Sequence, residues 1–483
     1  MRLVVTPEEM GALDRSAIAA GTPESVLVER AGAAVAWRAR QMLGGTYGRR
    51  VVIACGKGNN GADGRVAARV LRRWGARVAE IDVVAGVDRE RAAREVARAD
   101  LFVDAMFGTG FRGALDGDPA WLAEQATRVA RVLAVDIPSG VDGASGAVRG
   151  AVVRADATVT FAYLKPGLLF EPGRTHAGAV DVADIGIRAD DPHAAIATVT
   201  TADDARRAIG TRAPEEHKWR AAVLVVGGSS GMIGAPSMTA RAALRTGSGM
   251  VVAAVPGHEA AARVGGGEVV ARAMPATKSG ALNPDAAEEL LHGDIDRFKA
   301  AAIGPGIGRA PETAAAVARL VAEAPIPIVV DADALTILAE DPEPLRSRRA
   351  PTVVTPHDGE YARLAGHPVG DDRIAAASEL ARDLGVVVLL KGPATVVVDP
   401  AGGVAINPTG SPALATAGTG DVLTGIVAAF LARGAAPFDA AAAAAFVHGR
   451  AAEIAGTAPG LVAGDLIDAL PPTLRALTDP RED

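Results

Sequence analysis

Short apolar runs alternate with amphipathic stretches along nearly the whole chain, and this constrains the fold more than any other feature. Such alternation is the pattern of βαβ units, which build a parallel sheet with helices on both faces. In the first part, strands are expected at "RVVIAC" (Arg50 to Cys55), "RVAEIDVV" (Arg77 to Val84), "DLFVDA" (Asp100 to Ala105), "RVLAVDI" (Arg131 to Ile137) and "ATVTFA" (Ala157 to Ala162). A helix fits "ADGRVAARVLRRWG", where Val66, Val70 and Leu71 share a face and Gly75 marks the end. Ahead of the first strand, Thr6 to Leu43 reads as helices covering a sheet.

The pattern fades between Ala202 and Lys218, a charged stretch that contains Pro214, and resumes at "AAVLVVGG" (Ala221 to Gly228). Further strands are expected at "MVVAAV", "KAAAIG", "PIVVDA", "PTVVTP" and "VVVLLKG", followed by a helix-rich stretch from Asp421 on. The expectation is α/β throughout, in two tandem domains, residues 1–211 and 212–483. A chain of 483 residues leaves room for both.

Composition excludes several function classes. The 57 acids outnumber the 50 bases, for a net charge of −7, so nothing resembles a basic nucleic-acid surface. The single cysteine, Cys55, precludes an intrachain disulfide or a cysteine metal cluster. No apolar run approaches the roughly 18 residues of a membrane span, and "MRLVVTPEEM" lacks a signal peptide's apolar core. A cytoplasmic protein with no membrane or nucleic-acid partner is expected.

Open parallel sheets bind ligands at the carboxyl ends of their strands. Three polar loops follow strands of the first part: "GKGNNGADG" (Gly56 to Gly64), "MFGTGFRGAL" after Asp104, and "PSGVDG" after Asp136. Each alone is weak, since Asn-Gly and Asp-Gly pairs are ordinary turn formers. The G-x-G-x-x-G spacing of Gly56, Gly58 and Gly61 suggests a dinucleotide fingerprint, but Glu80 and Asp82 both stand where its acid belongs. On spacing alone the reading would be an NAD-dependent oxidoreductase. Three such loops at one sheet edge argue for a site, not for hydride chemistry.

In the second part, "AGTGD" (Ala417 to Asp421) opens an apolar helix. Asp421 there can be a helix cap, or a base beside a phosphate cradled by backbone N–H groups. Upstream, "GSSGMIGAPSMTARAALRTGSG", "IGPGIG", "VDADAL", "TPHDGE" and "LLKGPAT" each begin near a strand's carboxyl end, which favours the phosphate reading.

Together "CGKGNNGADGRVAAR", "VDAMFGTGFRG" and "AVDIPSGVDGASG" resemble the NAD(P)H-hydrate epimerase family, in order and spacing. That resemblance implies a Rossmann-like three-layer αβα domain. It implies that Asn59, Asn60, Gly61, Ala62, Asp63, Gly108, Thr109, Gly110, Phe111, Arg112, Gly113 and Asp136 bind the hydrated nucleotide. It further implies a potassium ion on Asn60, Asp104 and Ser139, with Asp136 as acid/base and Lys165 of "YLKPG" facing the site.

The second set resembles the ribokinase-like superfamily, and more closely ADP-dependent NAD(P)H-hydrate dehydratases. "GMIGAP", "GPGIG", "DADAL", "TPHDGE" and "GTGD" match in order, and Ile233 stands where an aromatic is expected. This resemblance implies a ribokinase-like αβα domain in which Ala235, Gly306, His357 and Asp421 contact hydrated substrate. Lys391, Gly392, Pro393, Ala394, Thr395, Gly418, Thr419 and Gly420 would contact the nucleotide, ADP with magnesium, with Asp421 as catalytic base. His357 read alone is more often a structural or surface histidine.

The implied activity is bifunctional repair. One domain would interconvert the R and S epimers of NAD(P)H-hydrate. The other would dehydrate the S epimer at the expense of ADP, giving AMP and phosphate through a phosphorylated intermediate. A homo-oligomer is expected. Two alternatives stay open: a ribokinase-like small-molecule kinase with a non-catalytic N-terminal module, and a nucleotide-binding regulatory protein.

Overall fold

The computed structural model describes residues 2–188, 195–210, 215–265, 267–456 and 459–479. Its contacts divide into two compact units, Arg2–Thr198 and Val199–Asp483. The boundary expected at 211/212 lies outside the described residues, and the contacts change hands earlier. The reason is the helix Ala202–Ile209, whose Ala205, Ala208 and Ile209 join the core of the second unit. Its charged outer face is why the apolar pattern fades there.

In the first unit β1 (Arg2–Val4) precedes β2 (Arg50–Cys55), β3 (Arg77–Asp82), β4 (Leu101–Ala105), β5 (Val132–Val135), β6 (Ala157–Phe161) and β7 (Ala179–Ala183). From β2 to β7 they form one sheet in the order β3-β2-β4-β5-β6-β7, every neighbouring pair parallel. Period-two alternation sends Val51 and Ile53 to one face, under helices Glu24–Leu43 and Asn59–Arg73. It sends Val52 and Ala54 to the other, under Arg89–Val96 and Gly117–Ala126. This is the expected Rossmann-like three-layer sandwich. A Cβ on Gly32 would lie 2.4 Å from that of Val66, so glycine permits the two covering helices to close. β2 lies between β3 and β4, so successive connections leave it in opposite directions and a crevice opens at its carboxyl end.

β8 (Ala197–Val199) ends at the boundary. The second unit then contains β9 (Ala222–Val226), β10 (Met250–Pro256), β11 (Val270–Met274), β12 (Ala300–Ile303), β13 (Ile328–Val330), β14 (Thr352–Val354), β15 (Val387–Leu390), β16 (Val396–Val398) and β17 (Val404–Ile406). Its sheet runs β17-β16-β15-β14-β13-β12-β9-β10-β11. The pairs from β15 to β11 are parallel, and β16 and β17 add an antiparallel edge. Strand order reverses at β9, between β12 and β10, giving a second crevice. Two helices apolar on nearly every side, Thr419–Ala432 and Pro437–Ala455, fill the core. A Cβ on Gly425 would meet the Thr239 carbonyl oxygen at 2.3 Å, so that glycine seats the first of them against Gly234–Arg245. No helix of the described residues is long and apolar enough to cross a membrane.

Candidate active sites

The crevice of the first unit widens into a cavity of about 420 Å³, within the range of small-molecule sites. Of the residues expected to bind there, Asn59, Asn60, Asp63, Gly108, Thr109, Gly110, Phe111 and Asp136 line it, as does Lys165. Gly61, Ala62, Arg112 and Gly113 do not. Gly61 instead closes the loop, since a Cβ there would sit 2.0 Å from the Gly56 carbonyl oxygen. Arg112 turns back on its own loop, donating to the carbonyls of Thr109 (3.1 Å) and Phe111 (2.8 Å).

Asp136 follows β5 with φ +65°, a conformation that strains a residue with a Cβ and that clusters at functional sites. Its Oδ1 accepts from Lys165 Nζ (2.8 Å) and Thr160 Oγ1 (3.0 Å). Its Oδ2 lies against the Gly108–Thr109 backbone. Lys165 is buried and its Nζ also donates to Thr160 Oγ1 and to the Phe161 carbonyl, both at 2.9 Å, so its three protons are spent. Asp63 has no such support. Burial first, then the charges of Asp136 and Asp14, push its pKa up to about 8.

The structure joins Asp104 to Ser139. The Asp104 carboxylate accepts the Ser139 hydroxyl (2.6 Å) and backbone N–H (2.7 Å), and the Met106 N–H (3.2 Å). Burial outweighs these bonds and raises its pKa to about 6, and it forms no ion pair among the described residues. Asn60 lies by the Gly108 loop with both amide atoms buried and without a hydrogen-bond partner.

In the second unit the loops after β9 and β12 meet at the crevice. Gly228 N–H donates to Pro305 O (2.9 Å) and Ser229 Oγ to Gly306 O (2.9 Å). Gly306, at φ +59°, has Ala235 close by, where a Cβ would stand 3.0 Å from that of Ala235. The helix Thr419–Ala432 begins at Gly418 (φ +90°). Thr419 and Val422 N–H groups donate to Thr416 and Gly418 carbonyls, while Gly420 and Asp421 N–H have no acceptor among the described residues, as expected in a first turn.

Beside this helix start lies a buried charge network. Lys391 Nζ donates to Asp331 Oδ1 (2.8 Å) and lies 3.6 Å from Glu360 Oε2. It also lies 3.8 Å from where a Cβ on Gly420 would be. Asp331 Oδ2 accepts from Thr424 Oγ1 (2.6 Å). Burial alone would raise the Asp331 pKa, but the Lys391 ammonium and these bonds hold it below the usual range. Asp421 has no such partner; burial first and Asp331 second push it up to about 7.

His357 is a helix cap. Its Nδ1 accepts the N–H groups of Gly359 (2.9 Å) and Glu360 (3.2 Å), and Glu360 Oε2 returns the bond to His357 N–H (2.9 Å). The expected substrate contact is thus left to Nε2 alone, which stands 3.5 Å from Glu360 Oε1. Lys391, expected at the nucleotide, is committed to the network. Gly392 packs on Arg373, where a Cβ would meet Nη2 at 2.4 Å. Ala394 is buried, and Thr395 Oγ1 turns to the Gly392 carbonyl.

Several site residues were not singled out from sequence. Asp331 and Glu360 sit inside motifs that were noticed, "VDADAL" and "TPHDGE", and their positions at strand ends were the available signal. His448, buried, places Nε2 2.9 Å from the Thr419 carbonyl, and burial lowers its pKa to about 4. Nothing local marks it in its alanine-rich helix. Asp14, on the helix Pro7–Ala19, lines the first cavity.

Both halves of the chain are similar to known proteins. The family model for NAD(P)H-hydrate dehydratase matches residues 223–472. That for the YjeF-related protein N-terminus matches residues 24–97 and 78–167. The bifunctional NAD(P)H-hydrate repair enzyme Nnr of Moorella thermoacetica is 41% identical over 99% of this chain and 97% of its own. The Nnr of Salinibacter ruber is 38% identical over 83% of this chain and 82% of its own. Among solved structures, the ADP/ATP-dependent NAD(P)H-hydrate dehydratase of Bacillus subtilis, co-crystallized with ATP and Mg2+, is 29% identical. It covers 58% of this chain and 99% of its own at a TM-score of 0.50. A ribokinase-like protein of Enterococcus faecalis shares the fold, at 23% identity and a TM-score of 0.52 over 59% of this chain and 98% of its own.

Proposed function

The chain belongs to the family of bifunctional NAD(P)H-hydrate repair enzymes, and we propose that its two units divide the repair. The first interconverts the R and S epimers of NAD(P)H-hydrate. The second dehydrates the S epimer at the expense of ADP.

Hydrated NAD(P)H carries a ring carbon that bears both a hydroxyl and the ring nitrogen. Hydroxide is a poor leaving group, and phosphate is a good one. In the second unit Asp421 takes the proton of that hydroxyl as its oxygen attacks the terminal phosphorus of ADP. The N–H groups of Gly420 and Asp421 and the adjacent Lys391 ammonium stand where phosphoryl charge accumulates. The ring nitrogen's lone pair then expels phosphate and NAD(P)H is restored, with AMP as the second product. The observation that carries this reading is a carboxylate with no hydrogen-bond or ion-pair partner among the described residues, set at an open helix start, where burial and the Asp331 charge raise its pKa to about 7. A base poised near the working pH is what proton abstraction requires. Ala235, Gly306 and the exposed side of His357 bound the substrate, and Gly418 to Gly420 with the Lys391 to Thr395 segment bound the nucleotide. The nucleotide would be held as its magnesium complex, and the magnesium would supply positive charge to the phosphates beside the helix start at Gly418.

In the first unit Asp136 is the acid/base through Oδ2, which takes only the 3.4 Å contact from Thr109 N–H, while Lys165 and Thr160 hold Oδ1. Potassium fits Asn60, Asp104 and Ser139, because the buried Asn60 amide lacks partners and the buried Asp104 carboxylate lacks a cation. There it would supply a fixed positive charge between loops that carry the site.

The test is separability. Asp421→Asn abolishes nucleotide-dependent dehydration and leaves epimerisation intact, and Asp136→Asn does the reverse, both assayed on purified epimers. Loss of both activities from either change in a folded protein overturns the two-site reading. Accumulation of a stable phosphorylated alcohol instead of NAD(P)H returns the second unit to the kinase alternative.

A further inference from the structure

We propose that Asp14 is a further catalytic residue of the first site, the proton donor to the hydroxyl of the hydrated nicotinamide, delivered by the N-terminal helix. This deepens the epimerase reading above and rests on it.

The chain's start is tied to the site. Val5 N–H donates to Leu164 O (2.9 Å) and Leu164 N–H to Leu3 O (3.3 Å), so the first residues run beside the segment that carries Lys165. A reciprocal capping box, Thr6 with Glu9, then starts the helix Pro7–Ala19. Residues four apart share a helix face, and Met10, Asp14 and Ile18 all line the cavity. Asp14 is thus a carboxylate set in the middle of an otherwise apolar stripe. It has no hydrogen bond or ion pair among the described residues, so nothing structural there requires an acid.

The reaction does require one. Lys165 has spent its three protons. Of the other acids that line the cavity, Glu24 is held by Asn59 and Asp63 is more deeply buried than Asp14. Loss of hydroxide from the hydrated carbon needs a proton for the departing oxygen. In the forward step the carbon–oxygen bond breaks as the ring nitrogen's lone pair forms a carbon–nitrogen double bond. The oxygen takes the Asp14 proton and leaves as water. Water then adds to the opposite face as Asp136 Oδ2 takes its proton, which gives the other epimer, and exchange with solvent restores the proton on Asp14. No oxidant, reductant or nucleotide is consumed.

The surroundings favour a protonated Asp14. Burial raises its pKa first; Lys165 after β6 and Arg15 on its own helix lower it; Asp136 after β5 and Glu24 on the covering helix raise it. Asp63, on the helix that follows β2, feels the Asp14 charge in turn.

The experiment uses the full chain as wild type, Asp14→Asn, Asp14→Glu and Asp63→Asn. Purified R epimer of NADH-hydrate, without nucleotide, is followed to the S epimer across pH. Nucleotide-dependent dehydration of the S epimer serves as the control for folding. The expected result is a fall of about 10²-fold or more in epimerisation kcat for Asp14→Asn. KM stays close to wild type, the alkaline limb of the pH profile is lost, Asp14→Glu recovers part of the rate, and dehydration is unchanged. Wild-type kcat and profile in Asp14→Asn, a loss confined to KM, or an alkaline limb that vanishes only in Asp63→Asn each overturns the proposal. A wild type no faster than spontaneous epimerisation overturns instead the epimerase reading beneath it.

Discussion

Replacing Asp331 by Asn isolates what the buried network of the second unit contributes. Asp331 is 2% exposed and its Oδ1 stands 2.8 Å from the Lys391 ammonium, against 3.6 Å for Glu360, the remaining partner. At an effective dielectric near 20 the closer contact amounts to about 6 kcal/mol of attraction. Part of that is offset by the carboxylate's own desolvation, so the net loss on leaving the ammonium short of its partner is about 3 kcal/mol. For a unit of this size that shifts the melting temperature down by roughly 5 to 10 °C. The sign with pH follows from the lowered pKa of Asp331. Its contribution is fully present above the unfolded value of about 3.9 and is lost as pH falls through the folded-state value. Calorimetry of wild type and variant therefore shows a gap that persists at neutral pH and narrows on strong acidification. The double change Asp331→Leu with Lys391→Met loses less than the single one, because no buried charge is stranded. A single variant that melts with wild type at neutral pH, or a double variant worse than the single, refutes the reasoning.

Two further predictions use titration. Asp421 must be ionised to act as base, so dehydration kcat/KM rises tenfold per pH unit below about 7 and levels above it. A profile flat from pH 5 to 8 removes Asp421 from that role. Asp63, raised to about 8, stabilises the first unit in its neutral form. That contribution is complete below the unfolded value of about 3.9 and is lost as pH rises through the folded one. Asp63→Asn keeps the shape without the charge, so its stability relative to wild type improves between pH 5 and pH 8. Parallel stability curves over that range contradict it.

The frame of the fold was legible because its central strands are runs of Val, Ile, Leu and Ala flanked by glycine loops. β2, β4, β5 and β6 form at the segments read from sequence. β11 escaped because "VARAM" sits half-exposed at the sheet edge and carries an arginine. β16 and β17 escaped because three residues give no periodicity. At the sites, glycine loops were visible for a local reason: a turn writes its requirement into adjacent residues. The partners of Lys391 were not, since Asp331 lies 60 positions away from it and 93 positions from Thr424, which it also meets. His357 was visible as chemistry, but its capping role was not drawn out, although Glu360 three residues on already spells the capping box.

The two sites share a device and use it differently. In each, a lysine binds the carboxylate that follows a central strand, the fully buried Lys165 with Asp136 and the partly buried Lys391 with Asp331. Each places a non-glycine residue at positive φ there, Asp136 itself (+65°) and Ala332 (+55°). In the first unit the bound carboxylate still offers one oxygen to the cavity, since Oδ2 accepts only the long 3.4 Å contact from Thr109 N–H. In the second it offers none, because Lys391 and Thr424 occupy both oxygens. After burial, its charge is the next cause that raises the pKa of the neighbouring Asp421 to about 7. The difference suits the chemistries. Reversible loss and return of water is served by a carboxylate with one oxygen held by its lysine and the other left to the cavity. Attack of an alcohol on a phosphoryl group needs a stronger base, and a buried carboxylate facing a second fixed negative charge is one.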